Sequence, residues 1–275
     1  MGRPPLYRLA QGRHPSGGQA VLIPSPRFKP GDLDHWRSIE RYDARLAQNP
    51  SWPRREARAK GVITDFAGSG PCYVSTSWGK DSTVVAHLAA TSGLVLPLVY
   101  VRMRRYENPD CLTVRDAFLE RWGDYVDYHE YWVSPGPRWW QIDDLADAKR
   151  TASHVGGQFH EAEVHHGSRH ISGVRAEESR MRAMAMGRWG EAGPGACRPI
   201  GRWTAVDVFA YLHRHDLPVH PAYAMSMRGR YDRRWLRVSP IGGITQAHKD
   251  RAGWETTYYP DVIDAPGAGA QGGAA

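Results

Sequence analysis

The sequence of 275 residues predicts an α/β domain built on a mostly parallel sheet with helices on both faces. Three observations predict it. From Pro71 onward, β-prone runs alternate with stretches of helical periodicity. One of those runs, residues 94–101 (LVLPLVYV), is apolar on both faces, as suits a buried parallel strand. Another run, residues 72–76, passes through Trp78-Gly79 straight into a helical pattern.

In chain order, residues 1–62 read as an irregular arm and a helical lead-in. Pro and Gly dominate 1–31, and apolar positions then recur at helical spacing over 32–48. Asp32 or Asp34 serves as N-cap there, and Asn49-Pro50 ends the helix. A second helix is expected over 52–60. Residues 63–224 form the main domain, with a strand at 72–76, a helix at 82–90 stopped by Gly93, and the strand at 94–101. A helix near 110–122, a strand near 125–132 and a helix near 143–154 follow. Next come a strand at 170–174 and a helix at about 176–186. Residues 190–201 read as a loop. Thr204 then caps a helix over 205–215, and 217–224 is expected to be extended. Residues 225–263 are an irregular basic region, and 264–275 (DAPGAGAQGGAA) a low-complexity tail expected to be disordered. No internal repeat occurs.

Composition narrows the function. With 41% hydrophobic and 24% charged residues the chain can bury a core. A net charge of +7 and a pI near 9.4 favour anionic ligands: nucleotides, phosphates, sulfates or nucleic acid. The three cysteines, Cys72, Cys111 and Cys197, form no CxxC or CC pair, which excludes a zinc ribbon or a four-cysteine iron–sulfur cluster within this chain. Their low count, and a basic start at residues 1–13 without an apolar segment, point to the cytoplasm. No run of apolar residues is long enough to span a membrane. Several tryptophans follow arginines, as in Arg138-Trp139-Trp140, Arg188-Trp189, Arg202-Trp203 and Arg234-Trp235. Such pairs stack bases in some proteins and anchor cores in others.

The strongest chemical signal is Ser77-Trp78-Gly79-Lys80-Asp81-Ser82-Thr83, placed after a strand and opening a helix. There the first-turn N–H groups lack helical partners and the helix dipole favours an anion. Gly79 allows close backbone approach. Lys80 adds charge, and the hydroxyls of Ser77, Ser82 and Thr83 are phosphate donors. Ser75, in the strand that feeds the loop, joins this set. The spacing is not that of the Walker loop. By spacing alone, a plain strand–turn–helix joint capped by Asp81 and Ser82 reads the same way.

SWGKDST resembles the PP-loop, S-[GF]-G-x-D-S, of the phosphoadenosine-phosphosulfate (PAPS) reductases, ATP-sulfurylase small subunits and ATP pyrophosphatases, with Trp78 where Gly or Phe is usual. The resemblance implies a five-stranded parallel sheet and a nucleotide at the carboxyl edge of its strands, its phosphates or sulfate held by the loop, Trp78 included. Two further segments carry it. Residues 171–180 (ISGVRAEESR) resemble a G-x-R-x-x-E-S-x-R element, in which Gly173 and Val174 offer backbone and Arg175 and Arg180 face phosphates. On its own residues that segment also reads as a solvated helix start, with Glu177 and Glu178 on the dipole and Arg180 paired to one of them. Residues 198–212 (RPIGRWTAVDVFAYL) and 217–223 (LPVHPAY) resemble the family's later P-x-x-x-W-T-x-x-D-V and P-x-x-P-x-Y segments. Trp203 and Tyr211 are packing residues there, and Asp207 orients Trp203 or caps locally.

The pattern departs where PAPS reductases carry a late nucleophilic cysteine: residues 225–243 read MSMRGRYDRRWLRVSPIGG, and Cys197 lies before the W-T segment. The expectation is therefore an adenylating enzyme taking ATP and Mg2+ and releasing pyrophosphate, with Lys80, Asp81 and Arg175 catalytic and Asp81 on the metal or capping the helix. The alternatives are a reductase of PAPS or adenosine phosphosulfate using Cys197 or a partner protein's thiol, and a nucleic-acid modification or defence module using the same site. Arg228, Arg230, Arg233, Arg234 and Arg237 read either as a clamp for a second anion or nucleic acid or as a solvated basic hairpin. An oligomer is compatible with the sequence. His160, His165, His166 and His170 read as surface or substrate-side histidines, since adjacent His165 and His166 point apart on a strand.

Overall fold

The computed structural model describes residues 21–103, 107–133, 159–241 and 251–263. In chain order the elements are β1 (Val21–Leu22), α1 (Asp32–Ala47), α2 (Trp52–Gly68), β2 (Tyr73–Thr76), α3 (Lys80–Ala90), β3 (Pro97–Met103) and α4 (Asp110–Trp122). They continue with β4 (Asp127–Val133), α5 (His160–His166), β5 (His170–Ile171), α6 (Arg180–Trp189), β6 (Ala196–Cys197), α7 (Ala205–Arg214), β7 (Pro218–Val219), α8 (Arg251–Tyr258) and α9 (Pro260–Ile263). Five strands form one parallel sheet in the order β4-β3-β2-β5-β6, the α/β architecture the sequence predicts. β1 and β7 pair separately, also in parallel.

The strand order decides where a ligand can sit. The chain runs outward from β2 to β3 and β4, then returns to the other side of β2 as β5 and β6. The connections after β2 and β5 therefore part in opposite directions and leave a crevice at their carboxyl ends. α3 leaves β2 at that crevice. Every residue of α3 except Asp81 is buried, because the helix is enclosed by the sheet and by α2 and α7.

α7 shows how sequence sets an element. Thr204 Oγ1 accepts from the Asp207 N–H at 3.2 Å while Asp207 accepts from the Thr204 N–H at 2.8 Å, a reciprocal cap. The apolar face so started buries Val208, Phe209, Tyr211 and Leu212. The N-terminal helices share that core: Trp36 meets Phe209 edge-on at 6.3 Å and Trp52 meets Trp203 at 5.3 Å. Positions 62 and 63 fall inside α2.

Several elements differ from expectation for identifiable reasons. α2 runs on to Gly68, because Ile63, Phe66 and Ala67 continue its buried face. Gly31, at φ 89°, occupies the N-cap position of α1. Asp32 is buried inside the helix, accepting from the Lys29 N–H at 2.8 Å and the Tyr258 hydroxyl at 3.0 Å. β5 ends at Ile171, and Ala176–Glu178 is one tight 3-10 turn before Ser179 caps α6. Residues 190–201 contain the sheet strand β6. Beyond β7, Pro221–Tyr223 coils into another 3-10 turn, started by the Ala222 N–H on His220 Nδ1. His165 and His166 stand on a helix. The C-terminal region, expected to be irregular, contributes α8 and α9, anchored by Trp254 Nε1 donating to the Met225 carbonyl at 2.7 Å. Residues 1–20 of the arm, the helix expected near 143–154 and the tail at 264–275 lie outside the described residues. Among the described residues no helix is long and apolar enough to cross a membrane.

Candidate functional site

A cavity of about 680 Å³ opens at the crevice between the β2 and β5 connections. Its floor is the loop that starts α3. Trp78 sits there at φ 57°, a left-handed conformation that costs a non-glycine residue of order 1–3 kcal/mol. The compensation is visible: its side chain is fully buried among Phe118 (5.4 Å), Tyr128 (6.0 Å) and Tyr100 (6.2 Å). Trp78 therefore pins the loop from beneath and its indole does not line the cavity, in contrast to the ligand-facing role expected for it.

Hydrogen bonds within the loop select which amides remain for a ligand. Ser77 N–H goes to Ser82 Oγ (3.2 Å), Trp78 N–H to Thr76 Oγ1 (3.2 Å) and Lys80 N–H to the Tyr223 hydroxyl (2.9 Å). Thr83 N–H closes the first helical turn onto Gly79 C=O at 2.9 Å. The N–H groups of Gly79, Asp81 and Ser82 make no hydrogen bond among the described residues. All three belong to residues lining the cavity. Three free amides at the positive end of a helix are a ready anion cradle.

The neighbouring glycine keeps that cradle open. A Cβ on Gly173 would lie 2.7 Å from the Asp81 carbonyl carbon and 2.9 Å from the Ser82 nitrogen. Only glycine lets the β5 connection lie against the start of α3. Gly173, Val174 and Ser172 all line the cavity, as do Ser75, Ser77, Gly79, Lys80, Asp81 and Ser82 on the β2 side.

The charged residues divide differently from expectation. Lys80 lines the cavity, nearly buried, with Nζ 2.9 Å from Asp81 Oδ2 and 5.4 Å from the Tyr223 ring. Asp81 Oδ1 accepts from Arg175 Nε at 2.6 Å. Arg175, expected to grip phosphate, is fully buried and does not line the cavity; it serves Asp81, Glu177 and the Trp203 carbonyl. Burial pulls its pKa down, but the facing carboxylates outweigh that and raise it, so it remains a cation. Arg180 is exposed and outside the cavity wall, and Thr83 is buried within α3 and does not line the cavity. Arg182, two residues on and paired with Glu178, is the arginine of that segment that lines the cavity.

Asp81 does not suit the metal role expected of it. Each carboxylate oxygen already faces a cation, Lys80 or Arg175, so the charge a divalent ion would need is neutralised. Among the described residues no group of three or more His, Cys, Asp or Glu is arranged to hold a metal ion.

All three thiols are buried and none lines the cavity. Cys197, in β6, donates to the Val62 carbonyl at 3.8 Å, and burial pushes its thiol up to about 12. Cys111 braces the loop from below, 3.5 Å from the Ser77 carbonyl, and burial raises its pKa too. The histidines of α5 dock that helix on β4: His166 lies 2.9 Å from the Tyr131 hydroxyl and His165 stacks on the Tyr131 ring. His170 lines the cavity beside Tyr73.

The remaining lining residues carry no sequence motif of their own. Phe159 and Glu163 come from around α5, Tyr223 from the turn after β7, and residues 234–239 from the basic C-terminal region. Of these only Tyr223, within LPVHPAY, belonged to a recognisable segment.

Residues 71–245 match the family described as the phosphoadenosine phosphosulfate reductase domain. Among solved structures the chain is similar to phosphoadenylyl-sulfate (PAPS) reductase from Candida auris, a phosphate complex. The identity is 14%, covering 67% of this chain and 88% of that one, with a TM-score of 0.43. It is similar as well to NMN synthetase from Francisella tularensis, at 14% identity over 79% of this chain and 88% of that one, with a TM-score of 0.42. No curated protein matches it. The matched segment spans the loop, the β5 connection and the cavity wall and exceeds half of the sequence, so the chain belongs to the phosphoadenosine phosphosulfate reductase domain family.

Proposed function

We propose that this protein binds an adenine nucleotide with its phosphates over the start of α3, and transfers the adenylyl group to a second substrate with release of pyrophosphate. The observation that carries the reading is the set of unengaged amides of Gly79, Asp81 and Ser82 facing a cavity beside Lys80. In the reaction an anionic oxygen of the second substrate bonds to the α-phosphorus. The bond to the bridging oxygen breaks, and its electron pair leaves with pyrophosphate. Charge grows on the leaving group, where preorganised N–H donors and Lys80 Nζ oppose it. Asp81 holds the Lys80 ammonium in place, and Arg175, out of reach of the nucleotide, holds Asp81. Arg175 is thus a positioning residue. No step is assigned to Mg2+, since the carboxylate expected to hold it is already taken.

Reduction of a sulfonucleotide finds less support, because no thiol of this chain faces the cavity. The test is pyrophosphate release from ATP, followed with the wild type and Lys80→Ala. Release that falls about 100-fold in the variant agrees with the reading, that being the usual effect of losing one charge-stabilising donor. Sulfite released from PAPS or adenosine phosphosulfate, without pyrophosphate from ATP, would overturn it.

A further inference from the structure

We infer that the hydroxyl of Tyr223 is a fourth donor of the phosphate cradle: it accepts the Lys80 N–H and donates its own O–H to a phosphate oxygen seated beside Gly79. The inference rests on the cradle of the nucleotide reading above and adds a side chain to its three amides.

The loop withholds one first-turn amide from a ligand. Lys80 N–H, between the unengaged amides of Gly79 and Asp81, goes to Tyr223 Oη at 2.9 Å. A phenol oxygen that accepts on a lone pair still carries one O–H of its own. That O–H has no acceptor among the described residues, although Tyr223 is buried (3% exposed). Burial, with the Asp81 charge adding to it, holds the Tyr223 pKa well above the ordinary tyrosine value. The proton therefore stays on the oxygen, and the group remains a donor. A buried donor without an acceptor is costly to the free protein, and an arriving phosphate oxygen removes that cost.

Gly79 shows where the donor is open. Its backbone is ordinary (φ −81°, ψ 167°), so its conformation does not call for glycine. A Cβ there would instead stand 3.2 Å from Tyr223 Oη and 3.8 Å from Ser77 Oγ. Tyr223, Gly79 and Ser77 all line the cavity, so the missing side chain keeps the hydroxyl uncovered beside the cradle. The ring itself is held. Phe209 meets it edge-on at 5.4 Å, and the Tyr223 N–H closes a tight turn onto the His220 carbonyl at 3.1 Å. Lys80 Nζ lies over the same ring, 5.4 Å from its centre. The hydroxyl is thus a fixed donor that needs no rearrangement when an anion arrives. Accepting the Lys80 N–H also polarises the O–H, so the amide that the ligand cannot reach still acts on it through the phenol.

The test is calorimetric titration of inorganic pyrophosphate, adenosine and ATP at pH 7. The proteins are the wild type, Tyr223→Phe, and a protein carrying 3-fluorotyrosine in place of Tyr223. Tyr223→Phe should weaken pyrophosphate about tenfold and leave adenosine, which has no phosphate, unchanged. Loss of the acceptor for Lys80 N–H could by itself loosen the loop, and the fluorinated ring separates the two roles. Fluorine makes the O–H a stronger donor and its oxygen a poorer acceptor. A donor to phosphate then tightens pyrophosphate about twofold, whereas a mere acceptor of the Lys80 N–H weakens it. This arm also decides the matter should Tyr223→Phe fail to fold. Unchanged pyrophosphate affinity in Tyr223→Phe overturns the inference, as does an equal loss of adenosine, or unchanged or weaker pyrophosphate binding with the fluorinated ring. If the wild type binds pyrophosphate but neither ATP nor adenosine, and the pyrophosphate pattern holds, the nucleotide reading falls and the Tyr223 donor stands. If the wild type binds no pyrophosphate and no ATP, both fall.

Discussion

At the floor of the cavity an arginine with no exposed surface holds Asp81 at 2.6 Å; at its mouth Arg234 holds Asp232 at the same distance with half its side chain in water. The contact lengths match and the consequences do not. A buried cation stripped of its partner, or a carboxylate stripped of its cation, keeps a desolvation penalty that nothing answers. An exposed pair exchanges its partner for water at little cost. The floor is thus structural and chemical at once, while the mouth can be altered without disturbing the fold.

The sharpest way to break that comparison is a pair of substitutions. Arg175→Ala should cost about 3–5 kcal/mol in urea unfolding, against about 1 kcal/mol or less for Arg234→Ala. Equal losses would mean that the floor is not the rigid half. Gly173→Ala comes next. Its new Cβ must push backbone at 2.7 Å, which costs about 1–3 kcal/mol and displaces the Ser82 amide, so ATP affinity should fall along with stability.

A third test uses pH. His220 is fully buried under the loop, and burial lowers its pKa to about 3. In the unfolded chain the ring takes up its proton near pH 6.5, so its contribution is fully present above that value. The contribution is lost as pH falls from about 6.5 toward 3, by about 1.4 kcal/mol per unit. Unfolding followed from pH 7 to 5 should show that slope in the wild type and a shallower one in His220→Phe. The smallest effect belongs to Cys197→Ser, which should leave nucleotide turnover unchanged, because the thiol donates into the core and not toward the cavity.

Much of this was legible in the sequence where local chemistry is decisive. The strand–loop–helix at 73–90 announces itself by an apolar run, a glycine and an N-terminal anion cradle, and Thr204 with Asp207 spells out its own cap. What was not legible depended on direction. Arg175, Arg180 and Arg182 lie within one short segment, yet the tight turn at Ala176–Glu178 sends the first inward to Asp81, the second to solvent and the third to the cavity. Trp78 reads as a ligand-facing loop residue until its left-handed backbone turns it into the core. β6 has only two residues, too few for an alternation to register, and Gly61 inside α2 hid how far that helix extends. The wall at 234–239 carries no motif, because long-range contacts such as that of Asn108 with Val238 place it.

The central claim is that the start of α3 is a phosphate cradle, and calorimetric titration of ATP into the wild type and Lys80→Ala tests it most directly. The account predicts saturable binding at one site, weakened about tenfold or more by the substitution while the fold is retained. Binding of equal strength in both proteins, or none in the wild type, would contradict it.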